Sequence, residues 1–284
     1  MQTHPTQKIA HELRIDIINM LAEAGSGHPG GSLSAIDLIT GLWFGEMRGV
    51  EAPDRLLGDR DRFILSKGHG VPALYAVLAR KGFIKSADLM TLRKTGSLLQ
   101  GHPDRVRIPI LEASTGSLGQ GLSVAQGMAM GLRMEKKKSL VFCLLGDGEI
   151  QEGQVWECAL SAAKYKLSNL CAIIDANNGQ IDGFVKDVMP LEPLVDKWRA
   201  FGWHVVEIDG HSMPKILAAY ADFRKVHQSG TAVKPTVIIA RTVKGKGVSF
   251  MENKNEWHGV APKADEAKRA VEEIRAALQQ GQGA

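Results

Sequence analysis

The apolar residues near the start of the chain recur every three to four positions, which predicts a helix that ends before the sequence SGHPGG. A second apolar helix is predicted from Ser34 to about Phe44. Farther along, short runs rich in β-branched residues alternate with stretches of helical periodicity. The predicted strands are 62–66, 140–145, 170–175, 204–208 and 236–241, and the remaining predicted helices are 71–81, 119–135, 156–166, 213–226 and 265–279.

Five apolar strands separated by helices predict an α/β fold, in which a parallel β-sheet is flanked by helices on both faces. In such sheets ligands bind at the carboxyl ends of the strands. The glycine-rich sequences of this chain follow predicted strands or lead into helices, where that rule requires them. We expect one domain that spans residues 1–284, with flexible ends at residues 1–8 and 280–284.

Composition narrows the classes of protein to be considered. The 284 residues are 44% hydrophobic and 23% charged, which is enough for one large globular domain. The net charge is +4, and the single dense basic run, residues 136–138, is short, so we expect no nucleic-acid partner. Neither a membrane span nor the apolar segment of a signal peptide is present in the sequence. Three cysteines without metal spacing (Cys143, Cys158 and Cys171) indicate reduced thiols in a cytoplasmic protein.

Two sequences carry the features of a metal and diphosphate site: LLGDGEIQEG at residues 144–153 and DANNGQIDG at residues 175–183. Asp147 lies between two glycines after a predicted strand, where its carboxylate can bind a hard cation and the backbone can approach a phosphate. The helix that follows favours a diphosphate at its N-terminus. Asn177 ends the next strand, so neighbouring strand ends bring it close to Asp147. Either short sequence alone is a common turn, and only the pair at strand ends is specific.

This pair of sequences resembles the thiamine diphosphate motif, GDG followed by NN at a strand end. The resemblance implies that the metal ligands are the side chains of Asp147 and Asn177 and the backbone carbonyl of Gly179. It also implies that Gly148 contacts the diphosphate. The metal is expected to be Mg²⁺, with Ca²⁺ or Mn²⁺ as alternatives. The family often has a larger residue at the position of Gly179, a change that a backbone ligand tolerates.

Four histidines lie in glycine-flanked loops, where imidazoles can donate or accept protons near neutral pH. A single loop histidine is more often a surface residue, but all four sequences together resemble segments of transketolase. The resemblance extends from the first helix to the last of these histidines. It implies that His28, His102 and His258 are catalytic residues lining the substrate channel, and that His69 and His258 contact the cofactor. The four sequences are SGHPGGSLS with His28, LSKGHG with His69, QGHPD with His102 and ENKNEWHG with His258.

The sequence STGSLGQG at residues 114–121 is similar to the TGPLGQG loop of the same family. By this resemblance, backbone groups of Gly116 and Leu118 contact the aminopyrimidine ring of the cofactor. Ser117 stands where the family usually has proline, which we expect to alter the stiffness of the loop rather than its chemistry.

The resemblance implies an N-terminal subunit of a two-component transketolase, which transfers a two-carbon ketol unit from a ketose phosphate to an aldose phosphate. In this family the glutamate that activates the cofactor, and the arginines that bind the substrate phosphate, belong to a second, pyrimidine-binding domain. A partner is therefore expected, a C-terminal transketolase subunit in an α2β2 assembly. Glu152 and Glu157 are expected at the interface, although acidic residues at a helix start are also favoured by the helix dipole alone.

Several alternatives share part of these features. A component of a two-chain α-keto acid dehydrogenase has GDG and NN but no reason to carry all four histidine loops. Deoxyxylulose phosphate synthase is normally one long chain with a different sequence after the first GH. A non-catalytic module that only binds thiamine diphosphate would not need substrate-channel histidines. For the substrate, pentose-phosphate chemistry is the default, and an unusual ketose is the alternative.

Overall fold

The computed structural model describes residues 4–51, 53, 58–229 and 233–280. The strands are β1 (Arg62–Leu65), β2 (Val141–Gly146), β3 (Leu170–Ala176), β4 (Gly179–Gln180), β5 (Gly183–Phe184), β6 (His204–Asp209) and β7 (Thr236–Arg241). The α-helices are α1 (Pro5–Ala24), α2 (Pro29–Gly41), α3 (Val71–Arg80), α4 (Gln120–Met134), α5 (Gly153–Lys164), α6 (Val185–Val188), α7 (Leu194–Ala200), α8 (Met213–Ser229) and α9 (Ala264–Gln280).

Five strands form one sheet in the order β1-β2-β3-β7-β6, and every neighbouring pair is parallel. Strands β4 and β5 form a separate antiparallel hairpin. Side chains alternate between the two faces of the sheet, as Phe142 and Cys143 of β2 illustrate by belonging to different hydrophobic cores. The α/β fold with a parallel sheet between two helical layers, predicted from the sequence, is confirmed.

Two hydrophobic cores lie on opposite faces of the sheet. The larger core contains residues from α1, α2, α3, α8 and α9. The smaller core contains residues from α4, α5 and α7. Each core joins the helices of one layer to the sheet. The loops at the carboxyl edge of the sheet are therefore anchored to well-packed elements.

Helix α2 begins earlier than predicted, at Pro29 rather than Ser34. Proline is favoured in the first helical turn, where it lacks only an N–H that has no helical partner. Every residue from Pro29 to Gly41 is buried, and the chain continues as one π-helical turn at Leu42–Glu46. Burial on all sides offsets the low helix propensity of Gly30 and Gly31.

The chain ends also differ from expectation. Helix α1 begins at Pro5, and the His4 side chain accepts a hydrogen bond from the Thr6 amide. Residues 5–8 of the predicted flexible start thus belong to α1, and residues 1–3 lie outside the described residues. Helix α9 includes Gln280, and residues 281–284 are likewise outside that part of the chain. No helix among the described residues is long and apolar enough to cross a membrane.

Candidate cofactor and substrate site

A cavity of about 380 Å³ lies at the carboxyl edge of the sheet. Its walls come from the loops that follow β1, β2, β3 and β7, from the segment between α3 and α4, and from the N-terminus of α2. Almost all of the site residues predicted from the sequence line it. They are His28, His69, His102, Gly116, Leu118, Asp147, Gly148, Glu152, Asn177, Gly179 and His258.

Glu157 is the one predicted residue that is not part of this wall. It lies on α5 and is exposed to solvent, one helical turn beyond the start of the helix. Glu152 immediately precedes α5, is also exposed, and contributes to the rim of the cavity. Of the two glutamates, only Glu152 therefore lies at the mouth of the cavity.

Asp147 is a buried carboxylate at the end of β2, with 5% of its surface exposed. Its two oxygens accept hydrogen bonds from the backbone amides of Gly148, at 2.9 Å, and Asn178, at 2.5 Å. These donors are neutral, so within the described residues no cation pairs directly with the carboxylate. Burial, followed by the nearby charge of Asp175, raises the pKa of Asp147 to about 6.

Asn177 follows β3 and presents its amide in a defined orientation. Its Nδ2 donates to Oδ2 of Asp175 at 3.1 Å and to the Ser34 hydroxyl at 3.2 Å. Its Oδ1 accepts from the Gly179 amide at 2.9 Å. Because both Nδ2 contacts are acceptors, the amide oxygen is directed toward the glycine-rich loop that also carries the Gly179 carbonyl.

These groups fit a hard divalent cation. A buried carboxylate without a cationic partner, an amide oxygen and a backbone carbonyl are the oxygen donors that such an ion takes. Across the described ranges, no group of three or more His, Cys, Asp or Glu side chains is arranged to hold a metal. An ion bound here would therefore need oxygens from a phosphate or from water to complete its coordination.

Three histidine rings cluster in the same cavity. The ring centroids are 5.1 Å apart for His28 and His69, 5.7 Å for His28 and His258, and 5.3 Å for His69 and His258. His28 occupies the position before α2, and His69 and His258 lie in the short 3₁₀ turns Gly68–Gly70 and Asn255–His258. His102 is more exposed and packs against Gly116.

The environment keeps these imidazoles neutral. Burial, then Arg93, lowers the pKa of His28 to about 4, and burial, then Lys244, lowers that of His258 to about 3. Burial also lowers the pKa of His69 well below its usual value, and that of His102. At neutral pH the cluster therefore offers neutral donors and acceptors, which suit a polyhydroxylated ligand.

Two buried lysines in the cavity wall were missed in the sequence. Lys67 is 1% exposed, forms an ion pair with Asp175 and donates to the Gly31 carbonyl at 2.9 Å. Lys244 is 2% exposed and donates to the Gly179 carbonyl at 3.0 Å. Burial, followed by Lys67, lowers the pKa of Lys244 to about 8. The sequence could have indicated both lysines as site residues, because each lies just after the carboxyl end of a predicted strand.

A buried glutamate, Glu149, was also missed although it directly follows the GDG sequence. It is 3% exposed and accepts from the amides of Gly119 and Gly146, both at 3.0 Å. The Ser66 hydroxyl donates to the same carboxylate at 2.5 Å. Glu149 thereby joins the ends of β1 and β2 to the start of α4, which holds the three loops of this wall together.

Comparison with known proteins agrees with this geometry. The sequence profile of the family described as "Transketolase, thiamine diphosphate binding domain" matches residues 5–278. A 6-deoxy-6-sulfo-D-fructose transketolase subunit from Clostridium sp. (strain MSTE9) is 41% identical over 94% of this chain and 95% of the relative. A subunit of apulose-4-phosphate transketolase from Phocaeicola vulgatus is 42% identical over 96% of this chain and 95% of the relative.

Longer proteins match over the same region. Human transketolase is 42% identical over 95% of this chain, which corresponds to 42% of the human protein. The crystal structure of transketolase from Campylobacter jejuni superposes with a TM-score of 0.87 at 29% identity, covering 99% of this chain and 46% of that one. The chain thus spans less than half of these transketolases.

The family match identifies the chain as a component of a thiamine diphosphate enzyme. The chain belongs to the transketolase family and constitutes its thiamine diphosphate binding domain. The family, the enzyme class and thiamine diphosphate as the organic cofactor, all predicted from the sequence, are confirmed.

Proposed function

We propose that this chain is one subunit of a two-component transketolase that transfers a two-carbon ketol unit between sugar phosphates or related anionic sugars. The observation that carries the proposal is the single cavity that is lined by four neutral histidines together with Asp147 and Asn177. A site that only bound thiamine diphosphate would have no need of the histidine wall. The alternative of a non-catalytic binding module is therefore disfavoured.

The division of roles follows from the positions of the side chains. Asp147, Asn177 and the Gly179 carbonyl would hold a Mg²⁺ ion, with Ca²⁺ or Mn²⁺ as substitutes, and Gly148 would bind the diphosphate through its backbone. When bound, thiamine diphosphate would supply the carbanion chemistry that breaks and forms the carbon–carbon bond to the two-carbon ketol unit. His28, His102 and His258 would bind the hydroxyl and carbonyl oxygens of the sugar and move protons at them. His69, Gly116 and Leu118 would contact the cofactor.

The partner would complete the site across the face formed by α4 and α5. Val124 and Leu160 are apolar side chains on these helices that are 40% and 60% exposed. The two helices are joined by hydrogen bonds between Gln120 and Gln154, so they present one continuous surface beside the cavity rim. Exposed apolar residues next to a ligand cavity are typical of an interaction surface. Glu152 and Glu157 would lie in this interface.

Relatives of the same length support the need for a partner, because they are named as transketolase subunits. We propose an α2β2 assembly with a C-terminal subunit that carries the pyrimidine-binding domain. We also propose that residues 1–284 form a single domain and that the protein is cytoplasmic, where its three buried free thiols remain reduced.

The names of two relatives favour an unusual ketose as the substrate over the default of pentose-phosphate chemistry. One is named for a sulfonated fructose and the other for apulose-4-phosphate. Both names specify a sugar that carries an anionic group, which the neutral histidines of this chain cannot bind as an ion pair. Recognition of that anion would fall to the partner.

The test is to co-express the chain with a candidate partner and to assay a panel of phosphorylated and sulfonated ketoses with thiamine diphosphate and Mg²⁺. Ketol transfer is expected from the complex and not from either chain alone. The variant Leu160→Arg should prevent assembly, whereas Met134→Arg, at an 81% exposed site at the far end of α4, serves as a control. Transfer by the isolated chain, or an inactive intact complex, would contradict the proposal.

A further inference from the structure

The buried side chains of Arg14 and Asp37 form a cluster with the partly buried His211, and none of the three is among the described residues that line the cavity. Asp37, on the wholly buried helix α2, is 1% exposed. Both terminal nitrogens of Arg14 donate to its carboxylate, at 3.0 and 2.5 Å, and Gln7 donates at 3.0 Å. Nδ1 of His211, from the turn between β6 and α8, lies 2.8 Å from Oδ2 of Asp37.

The second ring nitrogen of His211 contacts the backbone after β7. The Val243 amide donates to Nε2 at 2.8 Å. Because an amide N–H only donates, Nε2 carries no proton, and the proton of the neutral ring lies on Nδ1. Burial alone would raise the pKa of Asp37, but Arg14 and hydrogen bonds from His211 and Arg14 hold it well below its usual range. The carboxylate is therefore ionised and accepts the Nδ1 proton.

The same cluster fixes the chain on the far side of Lys244. Nε of Arg14 donates to the Lys246 carbonyl at 3.1 Å. The Gly245 amide donates to the Gly30 carbonyl at 3.0 Å, which ties this turn to the start of α2. Backbone groups before and after Lys244 are thus held by hydrogen bonds from other parts of the fold. The Lys244 side chain extends from this fixed segment into the cavity, where it contacts the Gly179 carbonyl and His258.

We propose that His211 is a positioning residue for Lys244, acting through the Val243 amide, and that Asp37 sets the ring tautomer in which His211 accepts from that amide. A lysine side chain has four rotatable bonds, so its ammonium stays at one point only when the backbone that carries it is fixed. The inference that His211 positions Lys244 does not depend on the proposed function. The expected effect on cofactor binding does rest on the proposed function. The arrangement parallels the way that outer-shell partners orient the residues that touch a bound group.

Two substitutions separate the two hydrogen bonds of His211. In His211→Gln the side-chain oxygen reaches the position of Nε2 and can still accept from Val243. In His211→Asn the shorter amide can donate to Asp37 but does not reach the Val243 amide. Both remove the ring, so loss of its packing is common to the two variants. His204→Asn, at a surface His–Asp pair on β6 with a 2.9 Å contact, is the matched control.

The first measurement is the acylation rate of Lys244 in the cofactor-free chain, followed by peptide mass spectrometry. Loss of one hydrogen bond that holds the segment is expected to raise this rate about tenfold in His211→Asn. The rates of His211→Gln and His204→Asn are expected to stay close to wild type. Equal labelling of Lys244 in the Asn and Gln variants would overturn the proposal.

A second measurement uses the wild-type protein and does not depend on a variant that folds. In ¹⁵N-histidine-labelled protein at neutral pH, His211 is expected in the Nδ1–H tautomer, and an Nε2–H tautomer would overturn the proposal. Thiamine diphosphate affinity is then measured with Mg²⁺, and it is expected to fall in His211→Asn only. A wild-type protein that does not bind the cofactor would contradict the proposed function and leave the labelling result intact. Normal labelling of Lys244 in His211→Asn would contradict the positioning role alone.

Discussion

Nδ1 of His258 lies 2.6 Å from the ammonium nitrogen of Lys244 and accepts a hydrogen bond from it. The neutral ring therefore carries its proton on Nε2. Because burial and Lys244 together lower the pKa of His258 to about 3, this donor is present throughout the neutral range. The contact thus fixes both the orientation and the tautomer of a residue that we propose to touch the substrate.

Replacement of Lys244 by methionine should raise the pKa of His258, because the neighbouring positive charge is lost. The pKa should remain below the usual value for histidine, because burial is the larger cause of the shift. An NMR titration of the histidine ring signals measures this change. Lys246→Met is the matched control, since Lys246 is half-exposed and pairs with Glu252 instead. An unchanged His258 titration in Lys244→Met would contradict the assignment.

The stability of the protein should fall on acidification in part because of His28. Its pKa is about 4 in the folded chain, against a usual value of 6.5, so the unfolded chain binds the proton first as the pH falls. His28→Gln removes this proton binding. The variant should gain about 1–2 kcal/mol relative to wild type between pH 7 and pH 4, allowing for the partial exposure of the ring. The unfolding free energies are measured by urea denaturation across this pH range. A difference between the variant and wild type that stays constant with pH would contradict the prediction.

Removal of the Asp147 carboxylate should abolish Mg²⁺-dependent binding of thiamine diphosphate. Loss of an outer-shell partner of a metal weakens binding about 10–100-fold, so loss of a direct ligand should cost at least about 100-fold. Isothermal titration calorimetry of Asp147→Ala, with and without Mg²⁺, tests this expectation. Asp182→Ala is the control, because Asp182 lines the same cavity but is exposed. Tight Mg²⁺-dependent binding by Asp147→Ala would show that the metal lies elsewhere.

His28→Ala should lower turnover of the assembled enzyme with little change in cofactor affinity. The ring lies in the histidine cluster and makes no hydrogen bond to the Asp147–Asn177 edge among the described contacts. Loss of a general acid or base typically lowers the rate by about 10²–10⁴. The comparison of kcat with the cofactor concentration at half-saturation separates the two effects. A parallel loss of both would indicate that His28 serves the cofactor rather than the substrate.

Two glycine substitutions should have opposite effects on stability. A methyl group at Gly68 would lie 2.8 Å from the backbone nitrogen of Gly116 and 2.9 Å from the carbonyl carbon of Thr115. Gly68→Ala should therefore destabilise the fold by about 1–3 kcal/mol and separate two loops of the cavity. Gly127, in the middle of α4, has open space around it, and Gly127→Ala should stabilise the isolated chain by about 0.5–1 kcal/mol. Urea unfolding of both variants measures the contrast.

The sheet and most of the cavity were predictable because their signals are local. Apolar strands and glycine-flanked histidines are visible within a few residues of sequence, and the parallel fold brings strand ends together without further information. Asp37 shows where this reasoning ends. It lies inside an apolar helix, and its partner His211 is far away in sequence. Spacing cannot reveal such a pair, because only tertiary packing brings the two side chains into contact.

The start of α2 was predicted wrongly for a related reason. Gly30 and Gly31 lower the intrinsic preference for helix, so a local prediction begins the helix at Ser34. In the structure these glycines let other groups approach closely: an added methyl at Gly30 would lie 2.9 Å from the Trp257 carbonyl. Contacts with a segment far away in the sequence, rather than propensity, determine where the helix begins.

Because α2 is completely buried, the residues around the cavity differ in how readily they can be substituted during evolution. His28 directly precedes α2, and every residue of this helix is buried. The position of His28 therefore cannot change unless the interior of the protein is rearranged. Ile181 and Asp182 border the same space but are exposed. New sugar preferences can therefore arise at the open side of the rim by single substitutions, while the enclosed side preserves the reaction. Enzyme engineering aimed at donor choice should accordingly start at the open side.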